Sequence, residues 1–480
     1  MKKLLSMILI AFLAAGLLFA GGGSEKSAEE APAPAASPAK AVYDKDHHIP
    51  EGTPPAGPIE LVMWHEVSNV VQETLAEAAE NFNKSQDLYH VTVMFTSNIL
   101  TKVLTSNVED RPNIVQATGN TSSTYTVPKI DSRFDDPGLY VPLQVFIDHD
   151  KFDVSRIIKN SVSICVRGGQ WQIFPLGNTD SGIYVNYDML AQVGMKPEDL
   201  KSYEDVYEAC RRMKEQLGKG GMLFMYQHVD PMNFAIAAEG VQLFNNDNGR
   251  SGVPDKVLFA EEGEAKDSMM AWLNFVTKMR DEGLICDPSV GSSDARLMFA
   301  NGEIAFFLQT LSSYSTIESR HPEFNWGFLP SPTVRAGKAN LGQSPGGRFI
   351  LVTDVDDPWK EYGSWLFVKY LMEDEWAARF AMNVGYIPTT VSAAEWGDYK
   401  TYLESHPDLA AVREAQNSTP EGICMPLLAY QTDYAGAYAD LLKKMLMVET
   451  DMTAEQAYET LVKNTKEAVE MYFLSAGIVI

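Results

Sequence analysis

The chain has 480 residues and a formal net charge of −25, from 64 acidic and 39 basic side chains. That acidic excess argues against nucleic acid or an anionic membrane surface as a partner, because both would repel it. The four cysteines, Cys165, Cys210, Cys286 and Cys424, lack the Cys-x-x-Cys spacing of a zinc site, so no metal is expected, and spacing alone assigns no disulfide.

The chain opens with Met1-Lys2-Lys3, then an apolar run from Leu4 to Ala20 broken only by Ser6 and Gly16, then Gly21-Gly22-Gly23. Two positive charges, an apolar stretch below the roughly 20 residues of a membrane span, and small residues behind it form the pattern of a secretory signal. Residues 1–22 are read as that signal peptide, with cleavage after Ala20 or Gly22. Leu18-Phe19-Ala20-Gly21 resembles the approach to a bacterial lipoprotein site, but no cysteine follows it. The exported chain is therefore expected to be soluble and periplasmic. Residues 23–58 are rich in Ala, Pro, Glu and Ser, and read as a disordered spacer that cannot bury enough surface to offset its ordering entropy. His47-His48 falls inside this spacer and is not read as a metal site.

Residues 59–480 exceed the ~250–300 residues at which a single core stops growing, so two lobes are expected. Ile59 to Trp64 reads as a first strand, His65 to Asn69 as a loop, and the spacing of Val70, Val71, Leu75, Ala78, Ala79 and Phe82 as a helix, with Asn69 and Gln72 placed as a capping pair. Tyr89 to Phe95 is the next strand. Strand, helix and strand in so short a length make a βαβ unit and a parallel sheet, with its binding crevice at the strand C-termini. Trp64, His65 and Glu66 then stand at a functional edge. Asn113 to Ala117 is a third strand, and the polar stretch Thr118 to Ser123 is read as a loop beside the first, with Thr118 at its start.

Further on, two apolar runs between Gln172 and Tyr187 are joined by Gly177-Asn-Thr-Asp-Ser-Gly182. Small polar residues there suit either a hairpin turn or a crossing between lobes that would leave Asp180 and Ser181 facing a cleft. Ser202-Tyr-Glu-Asp205 reads as a helix start continuing to Leu217. The stripe Met269, Met270, Trp272, Leu273, Phe275, Val276 and Met279, ended by Gly283, is core. Asp294 to Ala300 is a helix that Asn301-Gly302 turns into the strand Ile304 to Leu308. Tyr362 to Met382 is expected to be one long helix, and 433–446 and 453–473 two more. Ahead of the first of them lies Ser344-Pro-Gly-Gly-Arg348, where adjacent glycines allow a sharp turn and a close backbone approach, and behind it the short aromatic loop Gly385-Tyr-Ile-Pro-Thr389.

The sequence has no His-Glu-x-x-His, phosphate-binding loop or Gly-x-Gly-x-x-Gly. Nothing in the sequence argues for an enzyme or a cofactor.

Met63-Trp-His65, Ala78 to Asn83, Ile183 to Leu190, Phe299 to Ala305, Asn325 to Pro330, Ser344 to Val352 and Gly385 to Thr389 occur in one order. In that order the chain resembles the extracellular solute-binding proteins of ABC importers, in the branch containing the maltose-binding and glycerol-3-phosphate-binding proteins and nearest to the latter. The resemblance implies an α/β, two-lobed periplasmic-binding-protein fold, with several hinge crossings and a ligand cleft that closes by hinge motion. It assigns 59–180 plus 327–371 to lobe 1 and 181–326 plus 372–480 to lobe 2. It also implies a monomer, a small-molecule ligand and a permease in the inner membrane as partners, with no cofactor.

Carried over by position, Gly346 and Gly347 match the family's glycine pair, Tyr386 its cleft tyrosine, and Tyr226 falls near a ligand-stacking tryptophan, with His228 beside it. The glycerol-3-phosphate proteins pair the phosphate with a late arginine, whereas this chain has Tyr434 in the corresponding stretch Asp433 to Tyr438. Arg348 could substitute as an anion partner through its planar fork. The simpler expectation is a neutral sugar or polyol, held by aromatic faces and by Asp, Asn, Ser and His. The rivals are an anionic ester such as glycerol-3-phosphate as ligand and, from another class, a secreted carbohydrate-active enzyme.

Overall fold

The computed structural model describes residues 45–480, apart from 68–69, 136–137, 219–220 and 228. The expected signal peptide, most of the expected spacer, the capping residue Asn69 and the candidate His228 lie outside the described residues.

The first βαβ unit forms as its periodicity predicts. Strand β1 (Ile59–His65), helix α1 (Val70–Ser85) and strand β2 (Tyr89–Phe95) follow one another, and β1 and β2 pair in parallel from Ile59 opposite Tyr89 to His65 opposite Phe95. Strand β3 (Ile114–Thr118) joins β1 in parallel on its other side. The polar stretch expected to be a loop is instead the start of helix α2 (Gly119–Lys129). Thr118 caps it by accepting from the Thr121 N–H, and the hydroxyls of Ser122, Ser123 and Thr126 donate to carbonyls one turn back. Hydroxyl side chains that compete with the backbone in a loop can also bond within a helix, so composition alone misled here.

Strand β4 (Tyr140–Val141) is a short edge, and strands β5 (Phe174–Thr179) and β6 (Ser181–Asn186) are separated by the single residue Asp180. Helix α3 (Tyr203–Leu217) starts with Ser202 and Asp205 as a reciprocal capping pair. Strand β7 (Met222–Leu223), helices α4 (Asp230–Ala238), α5 (Glu264–Asp281) and α6 (Ser292–Ala300), and strands β8 (Phe306–Thr310) and β9 (Trp326–Pro330) follow. The Met and Trp stripe of α5 is core: the Trp272 indole donates to the Tyr438 hydroxyl at 2.7 Å, fully enclosed. Strand β10 (Gly346–Thr353) then returns to the first sheet.

Two sheets result. The six-stranded sheet runs β2-β1-β3-β10-β4, with β5 also paired to β10, and the four-stranded sheet runs β9-β6-β8-β7. The chain passes from the first to the second at Asp180 and returns between Pro330 and Gly346. The expected return at 327 is therefore corrected, because Trp326 to Pro330 pairs with β6 in antiparallel fashion and Phe328 meets Tyr184 edge to face.

The expected single helix from Tyr362 to Met382 is two: α7 (Pro358–Leu371) and α8 (Asp374–Val384), separated by Met372 and an extended Glu373. The run Glu373-Asp374-Glu375 explains the break, since negative charge favours the start of a helix. Helix α8 packs on α1 and β5, so the residues after 371 do not pass at once to the second lobe. Helix α9 (Pro407–Ser418) lies against β9, and helices α10 (Gln431–Lys443) and α11 (Ala454–Ser475) pack with each other, α11 also meeting α5.

A further correction concerns the spacer. Lys45–His48 forms a 3-10 turn against α7. His48 Nδ1 bonds Glu361 Oε2 at 2.7 Å, and His47 Nε2 bonds Asp356 Oδ1 at 2.9 Å. The two histidines that looked incidental in a linker fasten it to the first lobe.

Candidate functional site

Strand register carries a row of side chains along the C-terminal edge of the parallel strands. His65 faces the same side as Phe95; two residues beyond the Met63–Ile114 pair it comes level with Gln116. Thr118 then stands opposite Arg348, which stands opposite Gly177. Beyond Gly177 sit the rings of Tyr386 and Phe380, which fill the space a Cβ there would occupy at 2.8 and 2.7 Å. The Tyr386 loop is held in place by Ile387, which exchanges backbone hydrogen bonds of 2.9 and 3.0 Å with Asn178.

The polar atoms in this row are short of partners. His65 is fully shielded, and neither ring nitrogen makes a well-formed hydrogen bond among the described residues, although the Val67 backbone lies beside the ring. Burial holds its pKa below the usual 6.5, opposed only by the neighbouring Val67 backbone, so the ring is neutral and offers one donor and one acceptor. The Phe95 ring meets it edge-on at 6.0 Å and is itself 52% exposed, an aromatic face at the mouth of the sheet edge. Gln116 Oε1 accepts from the Glu66 N–H at 3.1 Å, while its Nε2 is buried and unpartnered. Arg348 is half-buried, with no carboxylate or other acceptor bonded to it among the described residues.

Contacts from the second lobe meet this edge. Asn120, in the first turn of α2, donates from Nδ2 to Asp230 Oδ1 at the start of α4, at 3.1 Å, and its own Oδ1 is buried without a partner. Tyr226, half-buried in the loop before α4, lies four residues ahead of that contact.

The other expected residues divide. Trp64 is half-buried within β1, paired opposite Met94 and Val115. The exposed Glu66 accepts from the Ile99 N–H at 2.8 Å and so caps the turn Ile99–Thr105, where Asn98 provides no side-chain cap. Thr118 is occupied as the cap of α2. Gly346 and Gly347 lie inside β10 opposite Thr179 and Asn178. A Cβ on Gly346 would stand 2.8 Å from Phe234, and one on Gly347 would stand 2.1 Å from the Gly177 carbonyl oxygen, at φ +118°. The glycine pair is thus required by close strand packing at the crossing.

Asp180 and Ser181 are enclosed within the crossing and closed off from solvent, not facing an open cleft as expected. Neither carboxylate oxygen of Asp180 has a well-formed hydrogen bond, and burial pushes its pKa far above the usual carboxylate range. The Gln416 amide on α9 lies beside it and eases that shift, but without good geometry. Tyr434 is a correction: it sits in the helical core, edge-on to Phe244 at 5.3 Å, with its hydroxyl donating to Asn233 Oδ1 at 3.1 Å. Sequence reasoning missed Phe95, Gln116, Asn120 and Gln416. The position of Phe95 at the end of a parallel strand was a usable signal; the other three carried none.

Two sheets joined by crossings, with unpartnered polar atoms along one strand edge, invite comparison with known proteins. The profile of the family described as "Bacterial extracellular solute-binding protein" matches residues 77–411. The chain belongs to this family. Among curated relatives, the sn-glycerol-3-phosphate-binding periplasmic protein UgpB of Rhizobium meliloti (strain 1021) is 22% identical over 365 residues, 72% of this chain and 79% of that one. Among solved structures, the sugar-binding protein MalE from Xanthomonas citri superposes with a TM-score of 0.70 at 17% identity, covering 87% of this chain and 98% of that one. UgpB from Mycobacterium tuberculosis, in complex with glycerophosphocholine, gives 0.68 at 14% identity, covering 87% and 100%. The fold is that of the two-lobed solute-binding proteins.

Proposed function

We propose that the protein is the periplasmic solute-binding subunit of an ABC importer, capturing a small neutral carbohydrate or polyol by closure of its lobes. It delivers this ligand to a permease in the inner membrane, and makes and breaks no bonds. The observation that carries the reading is the fully buried His65, whose ring nitrogens make no well-formed hydrogen bond among the described residues, in one row with Gln116 Nε2 and, nearby, Asn120 Oδ1. A hydroxyl group both donates and accepts, so the hydroxyls of a sugar or polyol suit all of these atoms, whereas a phosphate group placed against them would leave the acceptors unmet. Phe95 and Tyr226 supply aromatic faces for the apolar side of a sugar ring, and Arg348 five further donors. The sugar-binding character of MalE supports the same choice.

Thermal unfolding against a panel of sugars, polyols and glycerol-3-phosphate tests the reading. A ligand present at 100 times its dissociation constant stabilises by about 2.7 kcal/mol, a readily measured shift. A shift with a neutral carbohydrate is the expected result. A shift with glycerol-3-phosphate alone would overturn the ligand class and make Arg348 the anion partner.

A further inference from the structure

The cysteines take no part in the cleft, yet the fold brings two of them together. Tyr207, Cys210 and Lys214 share one face of α3. The flanking pair both bind Glu282: the Tyr207 hydroxyl donates to its Oε1 at 2.6 Å, and the Lys214 ammonium donates to its carbonyl oxygen. From Glu282 the chain runs along β7, where the Met222 N–H donates to Leu284 O at 2.8 Å and the Cys286 N–H to Met222 O at 3.0 Å. A Cβ on Gly221 would stand 3.3 Å from Cys286 Sγ, so the thiol is packed onto this turn. The segment carrying Cys286 therefore passes along the α3 face that carries Cys210. Cys286 is also near enough to act on Cys210 electrostatically, second only to burial among the groups that raise its pKa. Cys210 is fully enclosed, while Cys286 is partly exposed.

We propose that Cys210 and Cys286 are a dithiol that closes to a disulfide outside the cytoplasm, fastening the 282–286 segment to α3. The family is extracellular, and disulfides form and persist in such oxidising spaces. Cys286, the reachable thiol, loses its proton and attacks a small disulfide such as oxidised glutathione, releasing one glutathione thiol. Cys210 then loses its proton and displaces the second glutathione thiol from the mixed disulfide. Two protein thiols and one small disulfide become one protein disulfide and two small thiols. Cys165 and Cys424 provide an internal contrast. Their segments also adjoin, with the Gly422 N–H donating to Ser163 Oγ at 3.1 Å, but both thiols are fully buried and out of reach of a reagent in the folded state.

The test oxidises the folded, fully reduced protein with oxidised glutathione, quenches with acid, unfolds it in excess maleimide and maps the peptides. The peptides of Cys210 and Cys286 should be recovered joined, with those of Cys165 and Cys424 carrying maleimide. Cys210→Ser should trap Cys286 as its glutathione mixed disulfide. Maleimide on all four cysteines of the wild type would overturn the proposal. So would a glutathione adduct on Cys286 with Cys210 left free.

Discussion

Asp180 is the sharpest test of how the crossing between the lobes is built. Its carboxyl is fully buried, has no cation against it among the described residues and is eased only by the Gln416 amide. Its folded pKa is raised above the unfolded value, so the folded state holds the proton where the unfolded state has lost it. The stability it contributes is fully present below about pH 4, where both states are protonated, and is lost as pH rises toward the folded pKa. Over that window stability falls by about 1.4 kcal/mol per pH unit for this one group. Asp180→Asn keeps the shape and removes the titration. It should therefore gain stability relative to wild type as pH rises from 4, with the gap widening at up to that slope until the folded pKa is reached. Urea unfolding of both proteins from pH 4 to pH 8 measures this directly, read from midpoints at constant m. Parallel curves, or an Asn variant that falls below wild type as pH rises, would refute the reasoning and mean that the carboxylate is ionised and paired in the folded state.

Gly347→Ala should destabilise by at least the 1–3 kcal/mol typical of a residue forced into a sparsely populated backbone region, because φ is +118° and the new methyl meets the Gly177 oxygen; a change within about 0.5 kcal/mol in urea melts would contradict this. Ligand affinity should weaken as pH falls below 6.5 toward the depressed pKa of His65, since protonation turns its acceptor into a second donor; calorimetric titrations at pH 5 and pH 7.5 check it, and His65→Phe should abolish the difference. His47 behaves oppositely: its pKa is raised by the bond to Asp356, so the stability it adds is present below pH 6.5 and lost as pH rises through the folded pKa. His47→Ala should remove that increment, which is small for an exposed pair, at most about 1 kcal/mol, and proteolysis near residue 45 should be faster in the variant at low pH. Glu66→Ala should cost about 0.5–2 kcal/mol through loss of the cap on Ile99, seen as a lower urea midpoint.

The first βαβ unit was legible because apolar spacing distinguishes helix from strand, and the Ser202–Asp205 start because a capping pair has a fixed offset. Other elements were hidden for physical reasons. Helix α2 is rich in Ser and Thr, whose hydroxyls here find helix carbonyls, with Ser122 and Thr126 also accepting from the buried Arg167 guanidinium. The break between α7 and α8 lies in acids that serve equally well on a solvated helix face. Much of the site's edge followed from βαβ geometry, which pointed to His65, but Gln116 and Arg348 join His65 only through strand register, a long-range property. Tyr434 failed because a position matched by resemblance says nothing of which way a helix faces, and its ring turned into the core.

Binding at the His65 row is the central claim, and calorimetric titration of the wild type and of His65→Ala with neutral sugars, polyols and glycerol-3-phosphate tests it most directly. A single neutral carbohydrate should bind saturably to the wild type and be recovered chemically unchanged. It should bind His65→Ala about 5- to 150-fold more weakly, in keeping with the 1–3 kcal/mol carried by a buried hydrogen-bonding group. Equal affinity in the two proteins, binding of glycerol-3-phosphate alone, or conversion of the carbohydrate would contradict it.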